Sequence, residues 1–189
     1  MEALRAGKRY TYEDYYAWDD GERYELIDGE VWLMSAPLEP HQTVSVELIL
    51  QLRMFLGGRR CRVYHAPFDV RLNPDGADDT VVQPDISVIC DLSKINRTGC
   101  KGAPDMIIEI LSPSSEARDR IVKFNKYLEA GVLEYWIVDP DSKTVQACLL
   151  QGGKYVTTSY GETDEAPVSI LPGCVIRLSE VFEGLEPYI

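Results

Sequence analysis

The chain has 189 residues, of which 45% are hydrophobic and 26% charged, and this composition is typical of a soluble globular protein with a sizeable core. No apolar run reaches the roughly 18 to 20 residues that span a bilayer, and residues 1–9 lack the apolar stretch of a signal peptide. We therefore expect one domain over residues 1–189, no membrane partner and a cytoplasmic location.

The net charge of −12 is unfavourable for a partner that presents phosphates, because neutralising phosphates requires clustered lysine and arginine. Two basic groups stand against this acidic balance. They consist of Arg53, Arg59, Arg60 and Arg62, and of Arg118, Arg120, Lys123 and Lys126. Each group is either the basic rim of a nucleic-acid site or an ordinary solvated surface.

The five cysteines are odd in number, scattered, and never arranged as Cys-x-x-Cys. They are Cys61, Cys90, Cys100, Cys148 and Cys174. This pattern argues against both a disulfide framework and a zinc knuckle. We expect most of them to be reduced residues of the core or of strands.

The first third of the chain predicts a short helix, a hairpin and a long helix. Residues 11–18 have Thr11 as a helix N-cap, and apolar arms flank Asp28-Gly29, a strong signal for a two-residue hairpin turn. From His41 to about residue 56, apolar residues recur at helical spacing until Gly57-Gly58 ends the pattern.

The remainder predicts a mixed sheet with helices on its faces. Strand-like runs cover 61–65, 68–72 and 82–90, and residues 106–111 form an apolar run typical of a central strand. A helix follows to about residue 130, ended by Gly131, and then a strand at 134–138. The stretches 144–150, 154–159, 168–171 and 174–178 are β-rich. The order predicts an α/β (α+β) fold around a central mixed sheet, with an N-terminal hairpin and a β-rich C-terminal part.

Two carboxylates fall at the ends of predicted buried strands. Asp85 follows Pro84 within the 82–90 run, and Glu109 interrupts the apolar run at 106–111. A carboxylate among apolar residues costs several kcal/mol of desolvation unless it meets a cation, a partner or water. Asp85 and Glu109 on adjacent strands could share one divalent metal, which suits phosphodiester hydrolysis.

The order of these motifs resembles the Uma (number two) family within the restriction-endonuclease-like nucleases. The similarity rests on matching segments in the same order along most of the chain. They are residues 24–30, His41, Pro84-Asp85, residues 109–114, Asp119 with Lys123 and Tyr127, and residues 130–140. The resemblance implies a restriction-endonuclease-like core and metal-dependent cleavage of DNA.

We take a metal site at these carboxylates as the working hypothesis, and the resemblance implies a role for Lys123. Asp85, Glu109 and the main-chain carbonyl of Ile110 would hold Mg²⁺, or Mn²⁺ in its place. The superfamily signature has a lysine where this chain has Leu111, and a lysine on the following helix, here Lys123, would substitute for it.

The residues themselves leave the role of Lys123 open. A helical wheel places the core stripe at Ala117, Ile121, Phe124 and Leu128, with Lys123 well away from its centre. A plain salt bridge from Asp119 to Lys123 at i, i+4 is the competing interpretation.

Glu25 and His41 complete the predicted catalytic set, with open alternatives. Glu25 could supply a third acid to the metal or to a second ion, or be a surface charge of the hairpin. His41 follows Pro40 and could be simply an N-terminal helix residue. His65, at a strand end, is expected to be structural.

Two functions from different classes remain. One is an endonuclease, which a symmetric homodimer would help to cut both strands of a duplex. The other is a catalytically inactive module that keeps the nuclease fold and acts in nucleic-acid or protein interaction. The acidic charge and the leucine at position 111 favour the second.

Overall fold

The structure is a computed structural model, and it describes residues 7–185. Residues 1–6 and 186–189 lie outside the described residues. The expectation that residues 1–9 are not a signal peptide therefore falls mostly on residues that the structure does not describe. The expectation of one domain over 1–189 therefore stays a prediction.

Strands make up most of the regular structure, and the elements follow in chain order: α1 (Tyr12–Tyr16), β1 (Tyr24–Ile27), β2 (Glu30–Leu33), α2 (Glu39–Leu56), β3 (Arg62–His65), β4 (Val70–Arg71), β5 (Val81–Val82), β6 (Ile86–Ile89), a 3₁₀ turn (Leu92–Lys94), β7 (Ile95–Asn96), β8 (Gly99–Lys101), β9 (Met106–Ile110), a π-helical segment (Arg118–Lys123), α3 (Phe124–Ala130), β10 (Glu134–Asp139), β11 (Thr144–Gln151), β12 (Lys154–Gly161), β13 (Glu165–Pro167), β14 (Val175–Arg177) and α4 (Leu178–Val181). The mixed α/β fold class predicted from the sequence is confirmed.

A six-stranded sheet, in the order β12-β11-β10-β9-β6-β3, forms the centre of the fold. β9 and β10 are parallel, and the other neighbours are antiparallel. Every residue of β9 is buried, as predicted for a central strand covered on both faces. Ile86 of β6 pairs with Ile108 of β9, and this register fixes which residues meet beyond the end of β6.

A second sheet, in the order β2-β1-β5-β4-β8-β7, carries the N-terminal hairpin. The predicted turn is confirmed: Asp28 and Gly29 have φ angles of 51° and 76°, the left-handed conformation that a two-residue hairpin turn requires at both positions.

The run predicted as one strand over 82–90 is divided between the two sheets. β5 ends at Val82 in the second sheet, and β6 begins at Ile86 in the central sheet. Pro84 has no N–H to donate to a strand ladder, so the pairing stops there. The break leaves Asp85 at the junction of the two sheets.

Helix α2 covers one face of the central sheet. Its buried stripe is Val44, Leu48, Leu52 and Leu56, which packs in the core cluster that also holds Trp136. The helix begins two residues earlier than predicted because Pro40 is accommodated in its first turn, where a missing N–H costs nothing. His41 therefore lies in the first turn of a helix that packs one face on the central sheet.

The helical wheel drawn for residues 117–128 is wrong. Ile121, placed in the predicted core stripe, is 64% exposed, whereas Lys123 is 2% exposed. Asp119, Lys123 and Tyr127 lie four residues apart on one helical face, and that face points to the protein interior. The wheel failed because it placed the apolar side chains inward, whereas the buried face of this helix carries charged and aromatic residues. The segment Arg118–Lys123 is π-helical.

This correction predicts a small effect for a residue that the wheel placed in the core. Ile121→Ala should change the free energy of unfolding by less than about 0.5 kcal/mol, since its side chain contacts mostly solvent. Leu48→Ala, at a fully buried site, should cost about 2 to 5 kcal/mol. Denaturant titration measures both, and a large loss for Ile121→Ala would contradict the assigned helical phase.

Two further expectations need correction. Cys61 and Cys90 form a disulfide, because the pairing of Arg62 with Ile89 sets these flanking cysteines opposite each other. Cys100, Cys148 and Cys174 are free and buried, as expected. Residues 168–171 form hydrogen-bonded turns instead of a strand, and the strand of that region is β13.

Among the described residues, no helix combines the length and the apolar character needed to cross a bilayer.

Candidate functional site

A cavity of about 670 Å³ opens between the N-terminal end of α2, the loop after β2 and the loop after β9. Its lining includes Asp85, Glu109, Ile110, His41 and Lys123. Five of the six residues predicted for the site thus reach one cavity. The sixth, Glu25, is fully buried behind the wall.

The register of β6 and β9 brings Asp85 and Glu109 together. Asp85 precedes Ile86, whose partner is Ile108, so Asp85 lies opposite Glu109. The N–H of Ile110 donates to Asp85 Oδ2 at 2.8 Å, and the N–H of Asp85 points at Glu109 Oε2 at 3.4 Å. The backbone of each strand therefore helps to hold the carboxylate of the other.

Lys123 lies at the centre of a buried charged group, the Lys123 cluster, made of Lys123, Glu25, Glu109 and Asp119. Its Nζ lies 2.7 Å from Glu25 Oε1, 2.9 Å from Glu109 Oε1 and 3.5 Å from Asp119 Oδ1. The salt bridge to Asp119 is thus one of three. Three carboxylates around one ammonium leave the cluster with a formal excess of negative charge.

Hydrogen bonds fix both glutamates of the cluster. Glu25 Oε1 also accepts the N–H of Gln83 at 3.0 Å, so Glu25 is not the surface charge that its place in a hairpin allowed. Tyr127 donates its hydroxyl to Glu109 Oε1 at 2.6 Å. Oε1 of each glutamate is therefore occupied, and Glu109 Oε2 makes only the long contact with Asp85.

Burial and charge act in opposite directions on these groups. Burial raises the pKa of Glu109 to about 8, against the lowering effect of the Lys123 ammonium. Burial likewise raises the pKa of Asp119. Burial alone would lower the pKa of Lys123, but Glu109, Glu25 and Asp119 raise it well above its usual value. Lys123 therefore carries its positive charge throughout the neutral range.

The raised pKa of Glu109 predicts a pH dependence of stability. A folded-state pKa above the unfolded one favours folding below the unfolded value of about 4.5, and this contribution is lost as pH rises through about 8. In EDTA, the wild type should lose stability relative to Glu109→Gln across that window, by an amount on the order of a few kcal/mol. Denaturant unfolding of both proteins from pH 5 to pH 8.5 measures the difference, and parallel curves would contradict it.

His41 contacts the other carboxylate directly. Its Nε2 lies 3.0 Å from Asp85 Oδ2, and its Nδ1 is buried without a hydrogen-bond partner among the described residues. His41 is therefore not simply an N-terminal helix residue, because its imidazole restrains Asp85. His65 also lines the cavity, with Nδ1 2.7 Å from the carbonyl oxygen of Ala66.

Oxygen donors suited to a hard divalent cation are present at the cavity. Within residues 7–185 no group of three or more His, Cys, Asp or Glu side chains is arranged to hold a metal. The donors available are Asp85 Oδ1, which takes no hydrogen bond from a described residue, Glu109 Oε2 and the main chain of Ile110. Mg²⁺ keeps several waters and commonly takes only one or two protein carboxylates, so this donor set fits it.

Sequence reasoning missed the contributions of Gln83 and Arg118 to the site. Gln83 holds Glu25, and Arg118 lines the cavity beside the Lys123 cluster. The sequence marks Arg118 only as one member of a basic group. A usable signal was the five-residue spacing of Arg118 and Lys123, which brings two residues to one face only when the helix is wider than an α-helix.

Comparisons with known proteins agree with this architecture. Residues 12–179 match the Uma2 family, described as "Putative restriction endonuclease". "Uncharacterized protein slr1290" of Synechocystis sp. PCC 6803 is 25% identical over 178 residues, which cover 92% of this chain and 91% of that protein. The crystal structure of a "putative nuclease belonging to DUF820" from Anabaena variabilis has the same fold, with a TM-score of 0.75 and 21% identity over 92% of this chain and 97% of its own. Because the family match spans most of the sequence, the chain belongs to the Uma2 family and has a restriction-endonuclease-like fold.

Proposed function

We propose that the protein is a metal-dependent endonuclease that hydrolyses phosphodiester bonds of DNA. The observation that carries this proposal is the meeting of Asp85 and Glu109 at one cavity, with Lys123 bound to the second carboxylate. Membership of a family described as restriction endonucleases supports nucleic acid as the substrate class. DNA as the particular substrate is part of the proposal.

Asp85, Glu109 and the main-chain carbonyl of Ile110 would hold Mg²⁺, or Mn²⁺. The ion would supply a water of lowered pKa and neutralise charge on the phosphoryl oxygens. His41 and the N–H of Ile110 fix Asp85 Oδ2, so Oδ1 would be the oxygen that binds the ion. Tyr127 and Lys123 in the same way fix Glu109 Oε1, so Oε2 would be the oxygen that binds the ion.

The geometry supports a specific role for Lys123. Its N–H groups are directed at Glu25 and Glu109, with Asp119 beside the third, and its side chain is almost fully enclosed. It has little capacity left to hold a water. We assign Lys123 to lowering the pKa of Glu109 against the effect of burial, to orienting its carboxyl group, and to offsetting negative charge near the reacting phosphate. Glu25 and Asp119 act through Lys123 as positioning residues.

The position of Lys123 weakens the main sequence argument for an inactive module. That argument rested on the leucine at position 111, where the superfamily signature has a lysine. The ammonium of Lys123 reaches Glu109 from the following helix at 2.9 Å, which supports the proposal that Lys123 takes the place of that lysine. The homodimer predicted for cutting duplex DNA stays a prediction.

A cleavage assay tests the function. Purified protein is incubated with supercoiled plasmid, linear duplex and a single-stranded RNA of matched sequence, each with Mg²⁺, Mn²⁺ or EDTA. We expect nicking or linearisation of DNA with metal and none with EDTA. No cleavage of DNA with either metal would overturn the proposal, and cleavage of RNA alone would replace its substrate.

A further inference from the structure

Arg118 is a largely buried arginine whose guanidinium donates no hydrogen bond to any residue of the described range 7–185. Its side chain is 14% exposed, and its Nε is buried without a hydrogen-bond partner. Glu25 Oε2 lies 3.7 Å from that Nε, beyond hydrogen-bond distance, and is itself without a hydrogen-bond partner. Arg118 is therefore ion-paired with Glu25 but not hydrogen-bonded to it, and a buried donor without a hydrogen bond costs about 1 to 3 kcal/mol. The guanidinium thus has unused donors for an acceptor that enters the cavity.

Neighbouring arginines show how unusual this is. Arg23, which lines the same cavity, donates from Nε and Nη2 to Gln83 Oε1 at 3.1 and 2.8 Å. Arg120, two residues after Arg118, donates to Glu116 and also to Asp139. The guanidinium of Arg118 instead lies near the ring of Trp32, 5.6 Å from its centroid, at the cavity wall.

Hydroxyl groups lie along the same cavity as Arg118. Ser112 Oγ is 3.1 Å from Ser114 Oγ, and Ser114 Oγ is 3.3 Å from Ser35 Oγ. All three serines line the cavity, and their hydroxyls bond to one another. A hydroxyl can rotate its proton toward an incoming oxygen, so these groups can donate to a ligand at little cost.

We propose that Arg118 binds non-bridging oxygens of a backbone phosphate next to the phosphodiester that is cut, with Ser112 and Ser114 as additional donors. This inference rests on the proposed function and specifies how its substrate is held. A forked guanidinium matches two phosphate oxygens. Its positive charge also offers an anionic backbone a contact in a cavity that three carboxylates line, which explains how a chain of net charge −12 can accept nucleic acid.

Equilibrium binding tests this assignment. Fluorescence anisotropy follows a labelled 20-base-pair duplex without terminal phosphates, with Ca²⁺ replacing Mg²⁺, between 50 and 200 mM KCl. Arg118→Gln should weaken binding roughly tenfold and reduce the slope of log K against log[KCl] by about one. Arg120→Gln is the matched control, because that side chain bonds within the protein, and it should leave both quantities unchanged.

Two further measurements separate the possible failures. Arg118→Lys retains a cation beside Glu25, so it serves as the test if Arg118→Gln does not fold. This variant should keep the salt slope but bind the duplex more weakly, because an ammonium group cannot bond two phosphate oxygens as a forked guanidinium does. The inference would be overturned if a folded Arg118→Gln kept the wild-type affinity and salt slope, or if Arg118→Lys kept the wild-type affinity. It would also be overturned if the wild type did not bind the duplex. Binding that depends on Arg118 without metal-dependent cleavage would leave it standing while the proposed function fails.

Discussion

Replacing Lys123 by methionine is expected to lower the free energy of unfolding by about 3 to 5 kcal/mol. The substitution would leave Glu25, Glu109 and Asp119 buried together without their common cation. Leaving a buried charge uncompensated is among the most destabilising single changes. Denaturant titration at pH 7.5 measures the loss.

Two comparisons show whether charge is the cause. Lys126→Met removes a partly exposed lysine that pairs with Asp28 and Glu129, and should cost no more than about 1 kcal/mol. Adding Glu109→Gln to Lys123→Met should restore part of the lost stability, because one of the unpaired acids is removed. A Lys123→Met protein as stable as the wild type would show that the ammonium does not balance the cluster.

Asp85→Asn and Glu109→Gln should each reduce metal-dependent cleavage on the order of 10³-fold or more while the protein stays folded. Each change removes one of the two carboxylates that would hold the ion. Lys123 and Tyr127 compensate Glu109, and the fold should survive because a neutral glutamine side chain avoids the cost of ionisation in a buried site.

Matched controls lie on the same sheet. Asp105 precedes β9 as Asp85 precedes β6, and its carboxylate accepts the N–H of Cys90 outside the cavity. Glu134 is a buried acid of β10 that bonds to Trp136 and Ile170. Asp105→Asn and Glu134→Gln should retain cleavage wherever they fold. Unreduced cleavage in Asp85→Asn and Glu109→Gln would remove both residues from the proposed site.

The features that the sequence predicts correctly depend on local rules. Asp28-Gly29 specifies its turn through two left-handed residues, and the apolar spacing of α2 specifies a helix with one buried stripe. Glu109 could be recognised from the sequence because a carboxylate within an apolar strand has a high desolvation cost unless it is paired. The sequence suggested that the strands of Asp85 and Glu109 are adjacent. It did not give the register of β6 against β9, which brings the two residues opposite each other.

The features that the sequence did not reveal depend on tertiary structure. The helical face that carries Asp119 and Lys123 is buried because Lys123 reaches Glu25 and Glu109 on two strands. A helical wheel that places apolar residues inward cannot predict a buried face made of charged residues. The Cys61–Cys90 disulfide likewise follows from the pairing of β3 with β6, not from spacing. Arg118 is distinguished only by the lack of a hydrogen-bond acceptor for its Nε, which the sequence does not show.

Titration calorimetry with Mn²⁺ and Mg²⁺ most directly tests the central claim that Asp85 and Glu109 hold one divalent cation. The wild type should bind one ion per chain, Asp85→Asn and Glu109→Gln should lose that binding, and Glu134→Gln should retain it. Equal binding by the wild type and a folded Glu109→Gln, or no binding by any of them, would contradict the account.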